Sequence, residues 1–162
     1  MDQTIKIAVF KIGQEDFGIE VKRVVEILNM QKAHTIPELP DFLSGVITVR
    51  GEVIPLLDLR KRFSVKSPEG EGRIIIVRYD SEKIGLLVDD IKEITSLGTG
   101  EIITPPSIFK GVKKKYLSGL GKKDERIIIL LNIDDLLTSE EKIFLKKSEG
   151  LLEEDAESGK SP

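Results

Sequence analysis

The sequence predicts a mainly β protein: two small closed barrels packed on one another, followed by a short C-terminal helix. Three observations carry that prediction. The chain repeats itself, its apolar residues alternate with the period of strands, and no long helical pattern separates the strands. Residues 9–28 (VFKIGQEDFGIEVKRVVEIL) are echoed by residues 77–95 (VRYDSEKIGLLVDDIKEIT). Gly18 answers Gly85, Val21 answers Val88, Val24 answers Ile91, Glu26 answers Glu93 and Ile27 answers Ile94, each pair 67 positions apart. Further on, Gly45-Val46 match Gly111-Val112 at an offset of 66 and Pro55–Leu59 match Ile129–Ile133 at an offset of 74. The second copy is therefore expected to carry about eight extra residues near Lys113 to Lys123. Barrels also remove the exposed edges that so many strands would otherwise leave.

The elements follow in order. Ile5, Ile7 and Val9 alternate with Lys6, Ala8 and Phe10, and Phe17, Ile19 and Val21 with Gly18, Glu20 and Lys22, so a hairpin turning at Gly13–Asp16 opens the fold. Val24–Leu28 forms the next strand. Pro37 and Pro40 then exclude a strand or helix interior. The segment GVITVRGEVIPLLDL reads as two strands around Arg50-Gly51-Glu52, a turn whose glycine can take a positive φ. The polar stretch Ser64–Gly72 is the natural linker. Copy two repeats the plan with Ile74–Tyr79, Gly85–Val88, a loop TPPSIF and the buried strand IIILL. Thr138 followed by Glu141 is a capping box that starts the final helix. These boundaries define one domain over residues 1–148, with lobes of about 9–66 and 73–137, and a disordered acidic tail over 149–162. A seam between two such lobes is a common place for binding.

Composition excludes several classes of function. Twenty-five basic residues against 28 acidic ones give a net charge of −3 with no dominant run of either sign, which does not suit a polyanion partner. Aromatic residues make up only 5%, against base stacking. Cysteine is absent, so there is neither a disulfide framework nor a thiolate metal site. The longest apolar run, Ile127–Leu131, falls far short of the roughly 20 residues a membrane helix needs.

Candidate chemistry is sparse. His34 is the single histidine and lies in a polar loop, where a surface role is the simpler reading. Asp89-Asp90 resembles a metal-binding acidic pair, but neighbours on a strand face opposite ways, so a solvated turn is expected. Asp134-Asp135 and Glu140-Glu141 are expected at the start of the last helix, where acids favour the positive end of the dipole. Gly119-Leu-Gly121 is a fragment of a phosphate loop that opens no helix, and is expected to be a turn. Lys113–Lys115 is expected to be a solvated loop. Arg50 stands apart. It sits at a hairpin tip and aligns with Leu120, so a functional asymmetry and an ordinary exposed hairpin arginine both fit. If Val21, Val24 and Ile27 face inward, Val25 and Glu26 lie outward beside the strand of Arg50, where a docking surface and ordinary strand patterning both remain open.

The blocks FGIEVKRVVEI, IPELPDFLSGVITVRGEVIPLLDLRKRF, IGLLVDDIKEI and YLSGLGKKDERIIILLNIDDLLTSEE, in this order, resemble the CheW family, the adaptors of bacterial chemotaxis. The resemblance runs from about Ile5 to Leu145, and its most specific element is the segment from Gly45 to Arg60. It implies two five-stranded SH3-like β-barrels and a cytoplasmic, non-enzymatic adaptor recruited to membrane receptor clusters. It implies no cofactor and no metal. The implied partners are the regulatory domain of the histidine kinase CheA and the helical signalling tip of chemoreceptors. The resemblance places receptor binding in an apolar groove between the lobes, at Val24, Val25, Glu26 and Arg50 and, by repeat symmetry, Val88 and Ile94. Kinase binding falls at Ile103, Ile108 and Phe109. A CheW-like adaptor of another kinase pathway, or a small barrel that binds nucleic acid, are the competing readings.

Overall fold

The computed structural model describes residues 3–35, 37–41, 43–65, 72–104 and 117–145. Among these residues eleven strands form two sheets. They are β1 (Thr4–Ile12), β2 (Glu15–Glu20), β3 (Val24–Asn29), β4 (Leu43–Val49), β5 (Glu52–Asp58), β6 (Arg73–Tyr79), β7 (Glu82–Val88), β8 (Asp90–Gly98), β9 (Ile102–Ile103), β10 (Leu117–Lys123) and β11 (Arg126–Leu131). One turn of helix, α1 (Leu59–Arg62), follows β5, and a second helix, α2, occupies residues 139–145. The capping box is present: the Thr138 amide donates to Glu141 Oε1 at 2.8 Å and the Glu141 amide to Thr138 Oγ1 at 3.1 Å.

The six-stranded sheet runs β8-β1-β2-β11-β10-β9 and the five-stranded sheet β3-β6-β7-β5-β4. Each repeat thus contributes to both sheets. The β1-β2 hairpin of the first copy joins β8 to β11 of the second, and the β6-β7 hairpin of the second copy joins β3 to β5 of the first. The sequence lobes 9–66 and 73–137 are therefore not the physical units. The reason lies in the short connections. For β3 to lie antiparallel on β1, as β8 does, the chain would have to return along the whole length of β2. Only the 3-10 turn Val21–Arg23 separates β2 from β3, and three residues span about 10 Å at most. The chain crosses to the other sheet instead, and does so again at Asp89, between β7 and β8.

The two halves match in register, which corrects the repeat alignment. Val9 pairs with Gly18 and Glu93, as Ile76 pairs with Gly85 and Glu26, which preserves the offset of 67. In the last two strands Gly45 faces Leu56 and Gly119 faces Leu130, with the same bulge after Leu43 and Leu117, so the offset there is 74. Gly45 therefore answers Gly119, not Gly111, and the extra residues precede Leu117. Arg50 answers Asp124, not Leu120. Both occupy the turn after their strand with φ of 50°. Gly119-Leu-Gly121 is part of strand β10 and not a turn.

Alternation along β1 and β6 feeds three cores. Ile7 and Val9 face a small cluster within the first sheet, with Leu97, Ile128 and Leu130. Ile74 and Ile76 face one within the second, with Ile47, Ile54, Leu56 and Leu87. The intervening residues, Ala8, Phe10 and Ile12 on β1 and Ile75, Val77 and Tyr79 on β6, meet in the largest cluster, between the sheets. The seam between the sheets is thus filled by side chains.

Candidate functional site

At one end of the five-stranded sheet its two outer strands approach. A bulge displaces Val25 from the β3-β6 ladder, because Val24 faces Val77 while Glu26 faces Ile76. Glu26 then reaches Arg50 beyond β4, whose Nη1 donates to both carboxylate oxygens at 2.9 and 2.7 Å. The acid is the better buried partner: its side chain is 20% exposed, against 76% for the arginine. Further along the chain His34 exchanges two backbone hydrogen bonds with Val46 of β4, at 2.8 and 2.9 Å. The single histidine thus helps to join the sheet's edges.

Val25, Val49, Ile54 and Ile76 line a depression whose polar rim is Glu26, Arg50, Glu52 and Lys83. Its volume of about 70 Å³ is well below the few hundred that a small-molecule site requires. Arg50 and Gly51, with φ of 50° and 82°, form the tight hairpin turn. A positive φ is unfavourable for arginine by about 1 kcal/mol, and Asn, Asp or Gly would relieve it.

The matching end of the other sheet is built differently. Lys92 stands where Val25 does, Lys123 where Val49 does, Asp124 in place of Arg50 and Arg126 in place of Glu52. There Arg126 donates to Glu93 and, at 3.3 Å, to Asp16, and these bonds raise its pKa above the usual guanidinium value. Lys123 Nζ donates to the Ser96 carbonyl at 2.6 Å. Both ends carry ion pairs, but one sets Val25 and Val49 among them where the other has Lys92 and Lys123.

Two further clusters tie the sheets together. Asp58, buried at the end of β5, accepts from the Arg60 amide at 2.9 Å and from Arg60 Nε at 3.1 Å. Arg60 Nη1 also reaches Asp89 Oδ1 at 3.5 Å, and Asp89 Oδ2 accepts from the Gly13 amide at 2.6 Å, in the hairpin of the other sheet. Asp89 is therefore no solvated turn residue; its side chain is 9% exposed. At the crossover between β2 and β3, Arg23 donates to the Arg78 carbonyl and to Asp134, with 2.7 Å to Oδ1. The arginine holds the Asp134 carboxyl below its ordinary pKa. Asp134 and Asp135 belong to a 3-10 turn after β11 and not to the start of α2. Among the described residues no three His, Asp or Glu side chains converge as metal ligands, and no helix is long and apolar enough to cross a membrane.

A family profile described as the CheW-like domain matches residues 6–141. The chain belongs to that family. It is 33% identical over 135 residues to the chemotaxis protein CheW of Klebsiella aerogenes, covering 82% of this chain and 81% of that one. It is 27% identical over 146 residues to the chemotaxis protein CheW of Treponema pallidum, covering 86% of each. The crystal structure of the scaffolding protein TtCheW from Thermoanaerobacter tengcongensis superposes with a TM-score of 0.76 at 33% identity, over 83% of this chain and 92% of that one.

In this CheW-like chain the residues read from the sequence scatter. Val25, Glu26 and Arg50 come together at the depression. Val24 packs against the core between the sheets. Val88 is wholly buried in that core, so the symmetry argument that placed it in a groove is corrected: the seam is occupied, and Val88 has no surface to offer. Ile94 is 62% exposed but lies on β8, opposite Ala8 in the other sheet, and does not line the depression. Ile103 is 41% exposed on β9, while Ile108 and Phe109 lie outside the described residues. Sequence reasoning missed Ile76 and Lys83. They belong to the second repeat and join the depression only because the hairpins cross.

Proposed function

We propose that this CheW-like chain is a non-enzymatic scaffold of bacterial chemotaxis that couples chemoreceptors to the histidine kinase CheA, with the receptor's helical tip docking on Val25, Glu26 and Arg50. The observation that carries the site is the inequality of the two sheet ends. Valines at 25 and 49 stand where the other sheet has lysines at 92 and 123, and an arginine in a backbone geometry that disfavours it projects beside those valines. An amphipathic helix laid there would bury an apolar side chain against Val25 and Val49 while Arg50, steadied by Glu26, sets its register. Ile94 remains a separate receptor contact in this reading, and Ile103, with Ile108 and Phe109, the kinase contact. The net charge of −3 and the few aromatic residues give a nucleic-acid partner no support.

The test is Arg50→Glu, assayed against a receptor signalling fragment and, separately, the CheA regulatory domain. Receptor binding is expected to weaken about tenfold or more, since the new carboxylate faces Glu26 and reverses the rim charge. Kinase binding is expected to hold. A folded variant with unchanged receptor affinity would remove Arg50 from the site.

A further inference from the structure

The crossed topology poses a recognition problem that apolar packing does not solve. Each hairpin lies against a parallel strand of the other repeat: β2 on β11, with Gly18 facing Leu130, and β7 on β5, with Gly85 facing Leu56. The contacts are nearly the same in kind, a glycine facing a leucine in each. Between two chains, where the β2–β3 connection sets no such limit, either hairpin would suit either bed.

The charges beside these contacts differ. Along β5·β7, Lys83 of the hairpin meets Glu52 at 3.1 Å; along β2·β11, the hairpin contributes Asp16 and the bed Arg126, at 3.3 Å. Beyond the strand ends the reversal recurs. Asp89 after β7 meets Arg60 after β5, whereas Arg23 after β2 meets Asp134 after β11. Asp16 answers Lys83, Glu52 answers Arg126, and Arg60 answers Asp134 at the repeat offsets of 67 and 74. Arg23 answers Asp90, next to Asp89. If each hairpin lay on the bed of its own repeat, Asp16 would face Glu52, Lys83 would face Arg126, Arg23 would face Arg60 and Asp89 would face Asp134. All four contacts would then join like charges.

Within one chain the short connections already force the crossing; we infer that these four sign-reversed ion pairs reject the remaining error, a hairpin pairing with its own repeat's bed in another copy of the chain. The more exposed pairs, Arg23–Asp134 and Lys83–Glu52, contribute little to stability on their own. The effect of the four together is discrimination, because the wrong arrangement replaces every attraction with a repulsion.

The experiment exchanges charges at constant composition. Asp16→Lys with Lys83→Asp makes the native contacts like-charged and the same-repeat contacts complementary; adding Glu52→Arg and Arg126→Glu restores the native pattern with all four signs inverted. A third, neutral variant carries Asp16→Asn, Lys83→Gln, Glu52→Gln and Arg126→Gln. Each is refolded from denaturant over a range of protein concentrations, and the monomer fraction is read by size-exclusion chromatography. The doubly exchanged variant is expected to lose monomer to oligomers, increasingly at higher concentration, with salt reducing the loss. The fourfold variant is expected to recover and the neutral one to fall between. Three results would each overturn the inference: full monomer recovery by the doubly exchanged variant, no rescue in the fourfold variant, or a neutral variant as impaired as the doubly exchanged one.

Discussion

Replacing Arg60 by methionine removes the guanidinium that Asp58 and Asp89 share while keeping most of the buried stem. The carboxylates are 7% and 9% exposed, so neither can recover full hydration. Asp58 loses the bonds to Nε at 3.1 Å and Nη2 at 3.4 Å but keeps the Arg60 amide, since a backbone donor survives the substitution. Asp89 loses a weak contact at 3.5 Å and keeps the Gly13 amide at 2.6 Å. Removing one partner of a buried pair costs about 3–5 kcal/mol, and the retained backbone bonds put this case near 3. For a domain whose whole stability is of order 5–15 kcal/mol, that is a large share but leaves the chain folded. Urea unfolding followed by circular dichroism would measure it, with Arg60→Lys, which keeps the charge but loses the fork, expected to fall between. A loss below about 1 kcal/mol would show that water reaches the carboxylates, and would refute the reasoning from burial.

Two other predictions follow from the core. Burial pushes the Tyr79 phenol up from 10.0 to about 12, so the neutral phenol's contribution is fully present below pH 10 and is lost as pH rises toward 12. The loss is roughly 2–3 kcal/mol, and tyrosinate absorbance during an alkaline titration of the protein and of Tyr79→Phe would detect it; ionisation of Tyr79 near 10 with the fold intact would contradict the prediction. A methyl group added at Gly18 would collide with Ile7 Cγ2 and lie 3.0 Å from Ile128 Cγ2, whereas at Gly85 the nearest atom is Leu56 Cδ1 at 3.2 Å. Gly18→Ala is therefore expected to cost about 1–3 kcal/mol in thermal or urea unfolding, and Gly85→Ala measurably less; equal losses would contradict the packing difference.

Much of the fold was legible because strand periodicity is a local signal. The hairpin at Gly13, the turn at Arg50-Gly51, strands β6 and β11 and the capping box at Thr138 all fall where alternation and turn chemistry put them. α1 was not foreseen, since four residues carry no helical period and its N-cap, Asp58, reads as the last residue of a strand. Repeat matching by residue type also misled: Gly111-Val112 looks more like Gly45-Val46 than Gly119-Leu120 does, but hydrogen-bond register selects the latter. Of the site, Val25, Glu26 and Arg50 were legible because they lie in two distinctive blocks of the family pattern. Val88 was misplaced because identity under repeat symmetry says nothing about which face a residue occupies.

The sequence by itself determined that the chain is a duplicated β unit, that it carries the blocks of a CheW-like domain, and that no cysteine chemistry is open to it, because all three depend on residue types and their spacing. Only the tertiary structure decided which strands share a sheet. A three-residue connection cannot return along β2, so the hairpins cross, the seam fills with Phe10, Ile75 and Val88, and partly covered Val25 and Val49 meet Arg50 at one sheet end. Crossing also turns an irregular scatter of Asp, Glu, Lys and Arg into ion pairs of opposite sense in the two sheets. Their partners lie in different repeats, which no local pattern reveals.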